Sequence, residues 1–375
     1  MSRVLVVTND FPTRRGGIES FVLSLCERMS HDEVVVYTAS MPGDTAYDAT
    51  LPFPVYRDPS STLLPTRAVG RRAAEVMLNH GCDRVVFGAS APLGLLAPML
   101  RRAGARRIVA LTHGHEVWWA RVPGARRLLR RVGDSCDVLT YVSEWCREQI
   151  APALSPAAVA RMVRLSPGVD TERFYPGCGG AWVRSKLGIA NDAPVVVCTA
   201  RMVRRKGQDT LVRAWPQVIA DVPDARLLLV GDGPHRARVE DMAESLGVTD
   251  SVIFTGSVPW EEIPAYTDAG DVFAMPCRTR LWGLEPEAFG IVSIEAAACG
   301  LPVVVGRSGG APETVLEGEM GHVVDPGDVD ALSRRLAGLL MERPRSRSMG
   351  NRGRELVRRV WSWDVASTTL TELIG

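Results

Sequence analysis

The 375 residues predict an α/β protein built from two Rossmann-like, doubly wound domains, and three observations carry that expectation. The chain is too long for one ordinary hydrophobic core. Short, fully apolar strand-like runs alternate with helix-length segments, which is the pattern of a parallel sheet covered on both faces. The alternation halts at a Pro/Gly-rich stretch, residues 165–180, and then starts again.

In the first half, strands are expected at residues 4–7, 34–38, 84–87, 108–111 and 138–142, and helices at 18–29, 65–79, 92–103 and 126–136. The opening run from Met1 to Thr8 is too short in apolar residues for a signal peptide and reads as a buried strand. After the Pro/Gly-rich stretch, strands are expected at 194–199, 226–230, 251–255, 272–275 and 302–305. Helices are expected at 207–220, 236–246, near 260–267, and at 291–299 and 328–342. Gly300 and Pro302 supply the stop signals that end the 291–299 helix. The expected organisation is a first domain over 1–168, a linker over 169–185, a second domain over 186–350 and a final helical segment over 351–375. Open sheets of this kind bind ligands at the C-terminal ends of their strands, so a ligand cleft is expected between the two domains.

Composition narrows the classes. With 46% hydrophobic and 23% charged residues, the chain is neither disordered nor fibrous. Its eight cysteines are scattered, with no C-x-x-C pair and no histidine at metal-ligand spacing, which points to free thiols in a reducing cytosol. No stretch reaches the ~18 apolar residues of a membrane span. Net charge is +1, but residues 1–185 carry +6 and the remainder −5. Of the 44 basic residues only Lys186 and Lys206 are lysine, so a lysine kept against such a background is a candidate for function.

The segment 287–302 is the most informative. Glu287 lies in a loop, Gly290 follows it, and Glu295 sits eight positions on, about one turn inside the helix. A loop carboxylate, a glycine and a helix N-terminus suggest a site for a polar, anionic ligand; two ordinary solvated glutamates are the simpler alternative. Arg201 and Lys206 follow the first strand of the second half. Cations fixed there can neutralise a diphosphate leaving group as charge develops on it, lysine as a compact charge and arginine as a fork. A solvated charge run also fits this stretch, Arg204 and Arg205 in particular. Gly16 and Gly17 stand at a helix start where backbone N–H groups can meet phosphate, although a glycine turn serving geometry alone accounts for them equally. No G-x-G-x-x-G fingerprint is present at that turn. His113, directly after the 108–111 strand, can hydrogen-bond a sugar hydroxyl or donate a proton; His115 is a second candidate, and a structural loop histidine competes with both. Arg121, Arg126, Arg127, Arg130 and Arg131 cluster on one helical segment, and Arg67, Arg71 and Arg72 begin another. Such basic faces suit an anionic membrane surface, and a solvated helix face is the common alternative. No nucleic-acid-binding module accompanies them.

Taken together, these residues resemble family 4 glycosyltransferases of GT-B fold over essentially the whole chain. The match runs through Gly16-Gly17-Ile18-Glu19, His113-Gly114-His115-Glu116, Pro167-Gly168-Val169-Asp170, Arg201 with Lys206, Gly231-Asp232-Gly233-Pro234, Glu287 with Glu295, and residues 308–313 (SGGAPE). Residues 9–12 (NDFP), 113–116 and 276–280 (PCRTR) look most like actinobacterial GDP-mannose-dependent phosphatidylinositol mannosyltransferases. Trp282, Leu284 and Pro286 stand in a variable part of the motif.

The resemblance implies that the first domain is the acceptor side and the second binds a nucleotide sugar. It places Gly16 and Gly17 toward the diphosphate, Arg201 and Lys206 as its countercharges, and His113 near O6 of the donor sugar. Glu287 would hold O3 and O4, helped by backbone N–H groups at Phe289, Gly290 and Ile291. Glu295 would take the ribose hydroxyls, with the Val258 backbone near the base. It further implies transfer with retention, no metal or other cofactor, no established protein nucleophile, and donor phosphate assisting proton removal from the acceptor. The function expected is therefore transfer of mannose from GDP-mannose to a phosphatidylinositol-type lipid acceptor. The enzyme would be cytoplasmic and peripheral at the inner face of the plasma membrane, docked through its basic N-terminal helices. The alternatives are a UDP-sugar-dependent enzyme with another acceptor, a GT-B sugar-nucleotide epimerase, and a non-catalytic nucleotide-sugar binder.

Overall fold

The computed structural model describes residues 3–14 and 16–375; Met1, Ser2 and Arg15 lie outside the described residues. The chain divides into two units, residues 1–168 with 363–375 and residues 169–362.

The first unit contains seven parallel strands: β1 (Arg3–Thr8), β2 (Val34–Ala39), β3 (Val55–Asp58), β4 (Cys82–Phe87), β5 (Arg107–Ala110), β6 (Val138–Tyr141) and β7 (Met162–Arg164), in the spatial order β3-β2-β1-β4-β5-β6-β7. The central strands are Val-rich and buried on both faces; Val6 faces Val36 on one side and Val86 on the other. Helix Gly17–Arg28 covers one face through Phe21, Val22, Leu25 and Cys26. The C-terminal helix Trp363–Ile374 completes the same core with Trp363, Ala366, Leu370 and Ile374. Trp363 lies 5.7 Å from Phe21, and Arg107 Nε donates to the Leu373 carbonyl at 2.8 Å.

The second unit contains six parallel strands: β8 (Val195–Thr199), β9 (Arg226–Val230), β10 (Val252–Gly256), β11 (Val272–Met275), β12 (Val303–Gly306) and β13 (Gly321–Val324), ordered β10-β9-β8-β11-β12-β13. Leu227, Leu228, Leu229, Phe273 and Val304 are fully buried. Trp215 is also buried and satisfies its indole N–H on Ser251 Oγ at 2.9 Å.

Several expectations change. Strands β3, β7 and β13 are additional to those expected. Each is short and lies at a sheet edge, where one side needs no apolar partner. The expected helix over 92–103 is a 3₁₀ turn, Leu93–Leu96, followed by helix Ala97–Arg102. Residues 169–185 belong to the second unit, and helix Gly180–Lys186 begins within them. Of the segment 351–375, residues 351–360 continue helix Arg343–Val360 in the second unit, and 363–375 join the first. No described helix is long and apolar enough to cross a membrane.

Candidate active site

In the second sheet the strand order reverses between β8 and β11, which makes the loops after those strands the switch-point position for a ligand. The loop after β8 carries Arg201 and ends in a 3₁₀ turn, Arg204–Lys206; the loop after β11 carries Glu287. Two glycines allow the loops to meet. Gly207, φ +83°, starts helix Gln208–Asp221, and a Cβ there would collide with the Pro276 carbonyl. Gly309, φ +53°, brings the loop after β12 against the Glu287 carbonyl in the same way. Arg278 N–H donates to the Arg205 carbonyl at 2.8 Å and its guanidinium pairs with Asp209, tying the two loops together.

Glu287 is the centre of this arrangement. Its Oε2 accepts from Lys206 Nζ at 2.7 Å and from Arg205 Nη1 at 2.6 Å, and the residue is 8% exposed. Burial alone raises a carboxylic pKa; Lys206 and then Arg205 outweigh it and hold Glu287 below its ordinary value. The backbone N–H of Glu287 donates to Ser308 Oγ at 3.2 Å, and its carbonyl accepts from Gly310 at 2.9 Å, so the loop is held as well as the carboxylate. Arg205 is thereby corrected from a solvated arginine to a member of the site. Arg204 is exposed. Arg201 is exposed too, and its side chain makes no ion pair or hydrogen bond among the described residues.

Gly290, φ +93°, caps helix Ile291–Ala298, and a Cβ there would lie 3.7 Å from Glu287 Cγ. Phe289 is buried edge-on against Trp361, 6.3 Å away. Glu295, fifth in the helix, is buried and makes no side-chain hydrogen bond or ion pair among the described residues. Burial pushes its pKa up to about 7, against smaller lowering effects of Arg173 and Lys206. Arg173 is a further candidate that no sequence motif marks. It lies over the Trp260 ring at 5.4 Å and acts electrostatically on Glu295. Val258, half-buried, precedes the turn containing Trp260.

The Glu295 shift has a consequence for stability. Its folded-state pKa lies above the ordinary 4.5, so the linked stability is fully present below about pH 4.5 and is lost as pH rises through about 7. The full loss is about 3 kcal/mol. Urea unfolding of wild type and Glu295→Gln between pH 5 and 8 should therefore diverge, with wild type losing stability relative to the variant as pH rises. Parallel profiles would refute this.

In the first unit the order reverses between β1 and β4. Gly16 precedes helix Gly17–Arg28 after β1, and the Glu19 carboxylate folds back against Gly16. His113 Nε2 lies 2.6 Å from the Gly88 carbonyl after β4, so that nitrogen carries the proton and donates it. Burial lowers the His113 pKa, only partly offset by Glu116, and the ring is neutral with Nδ1 as an acceptor. Glu116 fixes this loop: its carboxylate accepts from Ser90 Oγ at 2.8 Å, His113 N–H at 3.0 Å and Gly114 N–H at 3.1 Å. His115 is exposed, 3.2 Å from the Ala91 carbonyl.

The basic faces are uneven. Arg126, Arg127, Arg130 and Arg131 are exposed on helix Pro123–Ser135, with Leu128 also exposed and Trp118 exposed on the preceding helix, Glu116–Arg121. Arg67 and Arg71 are exposed on helix Arg67–Asn79, but Arg72 is committed to buried Asp58 at 2.7 Å and is structural.

Comparisons with known proteins bear on the whole chain. A model described as Glycosyltransferase Family 4 matches residues 15–173, and one described as Glycosyl transferases group 1 matches 183–356. The chain is 48% identical over 377 residues to the GDP-mannose-dependent alpha-(1-6)-phosphatidylinositol monomannoside mannosyltransferase of Mycolicibacterium smegmatis, covering 99% of this chain and 98% of that one. It is 42% identical to the corresponding monoacylated-acceptor enzyme of Corynebacterium glutamicum, covering 99% and 97%. Among solved structures, Anabaena HepE in complex with UDP superposes with a TM-score of 0.82 at 19% identity over 99% of each chain, a likeness of fold. The chain belongs to glycosyltransferase family 4 and has the GT-B fold.

Proposed function

We propose that this glycosyltransferase moves a mannosyl group from GDP-mannose to a phosphatidylinositol monomannoside type of lipid, with retention and without a metal. The observation that carries the reading is the Arg205–Lys206–Glu287 cluster at the switch point of a chain 48% identical to an enzyme named for that reaction. Two cations and one carboxylate leave a net positive charge, and Arg201 adds another, which suits a diphosphate that gains charge as its bond to the sugar breaks. In this reading an acceptor hydroxyl forms the new bond at the anomeric carbon and the bond to the β-phosphate breaks. The departing phosphate takes the hydroxyl proton.

Glu287 holds sugar hydroxyls with the N–H groups of Phe289, Gly290 and Ile291, Glu295 takes the ribose, and the Val258 backbone flanks the base. From the first unit, Gly16 and Gly17 present backbone to phosphate. His113, with Nε2–H committed to Gly88, accepts from the sugar hydroxyl at Nδ1. The exposed arginines of helix Pro123–Ser135, flanked by Trp118 and Leu128, dock the first unit on anionic lipid at the cytoplasmic face.

The test is GDP release from GDP-mannose with phosphatidylinositol monomannoside vesicles, with and without EDTA. Lipid-dependent release that survives chelation is the expected result. Free mannose without acceptor, or equal use of UDP-glucose, overturns the reading. In sedimentation with anionic vesicles, charge removal at 126, 127, 130 and 131 should weaken binding, and unchanged binding overturns the docking.

A further inference from the structure

Between β11 and helix Ile291–Ala298 the chain forms a small, closed excursion. Arg280 N–H donates to the Glu285 carbonyl at 3.1 Å, Glu285 N–H returns the bond at 3.2 Å, and their side chains pair at 2.8 Å. The residues between them, Leu281, Trp282 and Leu284, are 55%, 97% and 40% exposed around Gly283. Leu281 and Trp282 both sit in the left-handed region, φ +51° and +52°, which L-residues with side chains rarely adopt. Glycine would be free of strain there, yet a leucine and an indole are held outward instead. Exposed Arg204 and part-buried Arg278 belong to the loops at the root of this tip, and Glu287 follows Glu285 by two residues.

We propose that the 280–285 tip is an interfacial anchor that inserts Trp282, Leu281 and Leu284 into a phospholipid surface beside the sugar-binding carboxylate. It rests on the reading that the acceptor is carried by lipid. Indole rings favour the headgroup level of a bilayer, and exposed Arg204 favours its anionic phosphates, Arg278 and Arg280 being paired with Asp209 and Glu285. A folded protein partner fits poorly, because three side chains at a loop tip fall well short of the ~800 Å² per partner of a specific interface. The surface is separate from helix Pro123–Ser135, since it belongs to the second unit and acts by apolar insertion.

The experiment compares wild type with Trp282→Gly in sedimentation with phosphatidylcholine vesicles and with phosphatidylcholine–phosphatidylinositol vesicles. Affinity for both should fall at least about tenfold, since burying only about a third of an indole's 150–250 Å² already corresponds to that factor. Melting temperature should hold or rise, because glycine relieves the positive φ. Leu281→Ser with Leu284→Ser should weaken vesicle binding in the same direction. Unchanged affinity for both vesicle types in both variants overturns the anchor. So does unchanged affinity combined with lost turnover on a deacylated, water-soluble acceptor, which would make the tip a substrate contact. Vesicle binding needs no turnover, so absence of mannosyl transfer would sink the proposed function and leave this inference to be decided on its own.

Discussion

Lys206→Ala lowers kcat by about 10²–10³-fold while weakening GDP-mannose binding by less than about tenfold. The asymmetry follows from where charge changes. In the proposed function the donor diphosphate is already anionic in the ground state, and Arg201, Arg205 and backbone N–H groups would share its neutralisation. As the bond to the sugar breaks, further negative charge gathers on the β-phosphate, and only a cation already fixed nearby stabilises it without reorganising. Lys206 meets that condition: its side chain is 12% exposed and its Nζ is held 2.7 Å from Glu287. Arg201, exposed and without a fixed partner, contributes more to capture of the donor, so Arg201→Ala should show the opposite balance of binding and turnover. Single-turnover rates with donor affinities measured by calorimetry decide the matter. Equal losses in kcat and affinity for Lys206→Ala would reduce the lysine to ground-state binding.

How far the sequence reveals this site depends on the type of interaction. Central strands such as β8 and β11 are legible because both faces are buried and their residues are apolar without interruption. Edge strand β3 is not, because Arg57 and Asp58 use their polar groups on Asp48 and Arg72, partners that no local pattern announces. Lys206 stands out in a chain with two lysines, whereas Arg205 is one arginine beside another. Its role appears only when Glu287, 82 positions away, arrives at 2.6 Å. Glu295 could be placed on its helix by spacing. Its raised pKa could not, because that depends on how little compensates its burial. The tautomer of His113 is likewise set by the Gly88 carbonyl on a different strand end.

Those distant partners make the second large effect a matter of coupling. Glu287→Ala should reduce kcat/KM by about 10²–10³-fold, but the Lys206→Ala/Glu287→Ala double variant should be at least about tenfold better than the product of the two single losses. Each single change does two kinds of damage. On the proposed function, removing Glu287 deletes a hydrogen-bonding group for the sugar, and it also frees Lys206 and Arg205 from the carboxylate that fixes them. Removing Lys206 deletes a countercharge and leaves buried Glu287 with Arg205 alone, so its carboxyl becomes easier to protonate. In the double variant the shared ion pair is already gone and its loss is counted once. A second signature separates the pair from two independent contacts. The pH at which Lys206→Ala loses activity on the acid side should rise relative to wild type, since Glu287 must stay ionised and its largest lowering influence is absent. Losses that multiply, with an unmoved acid limb, would mean that Glu287 and Lys206 serve the sugar and the phosphate separately and that their 2.7 Å contact is incidental to catalysis.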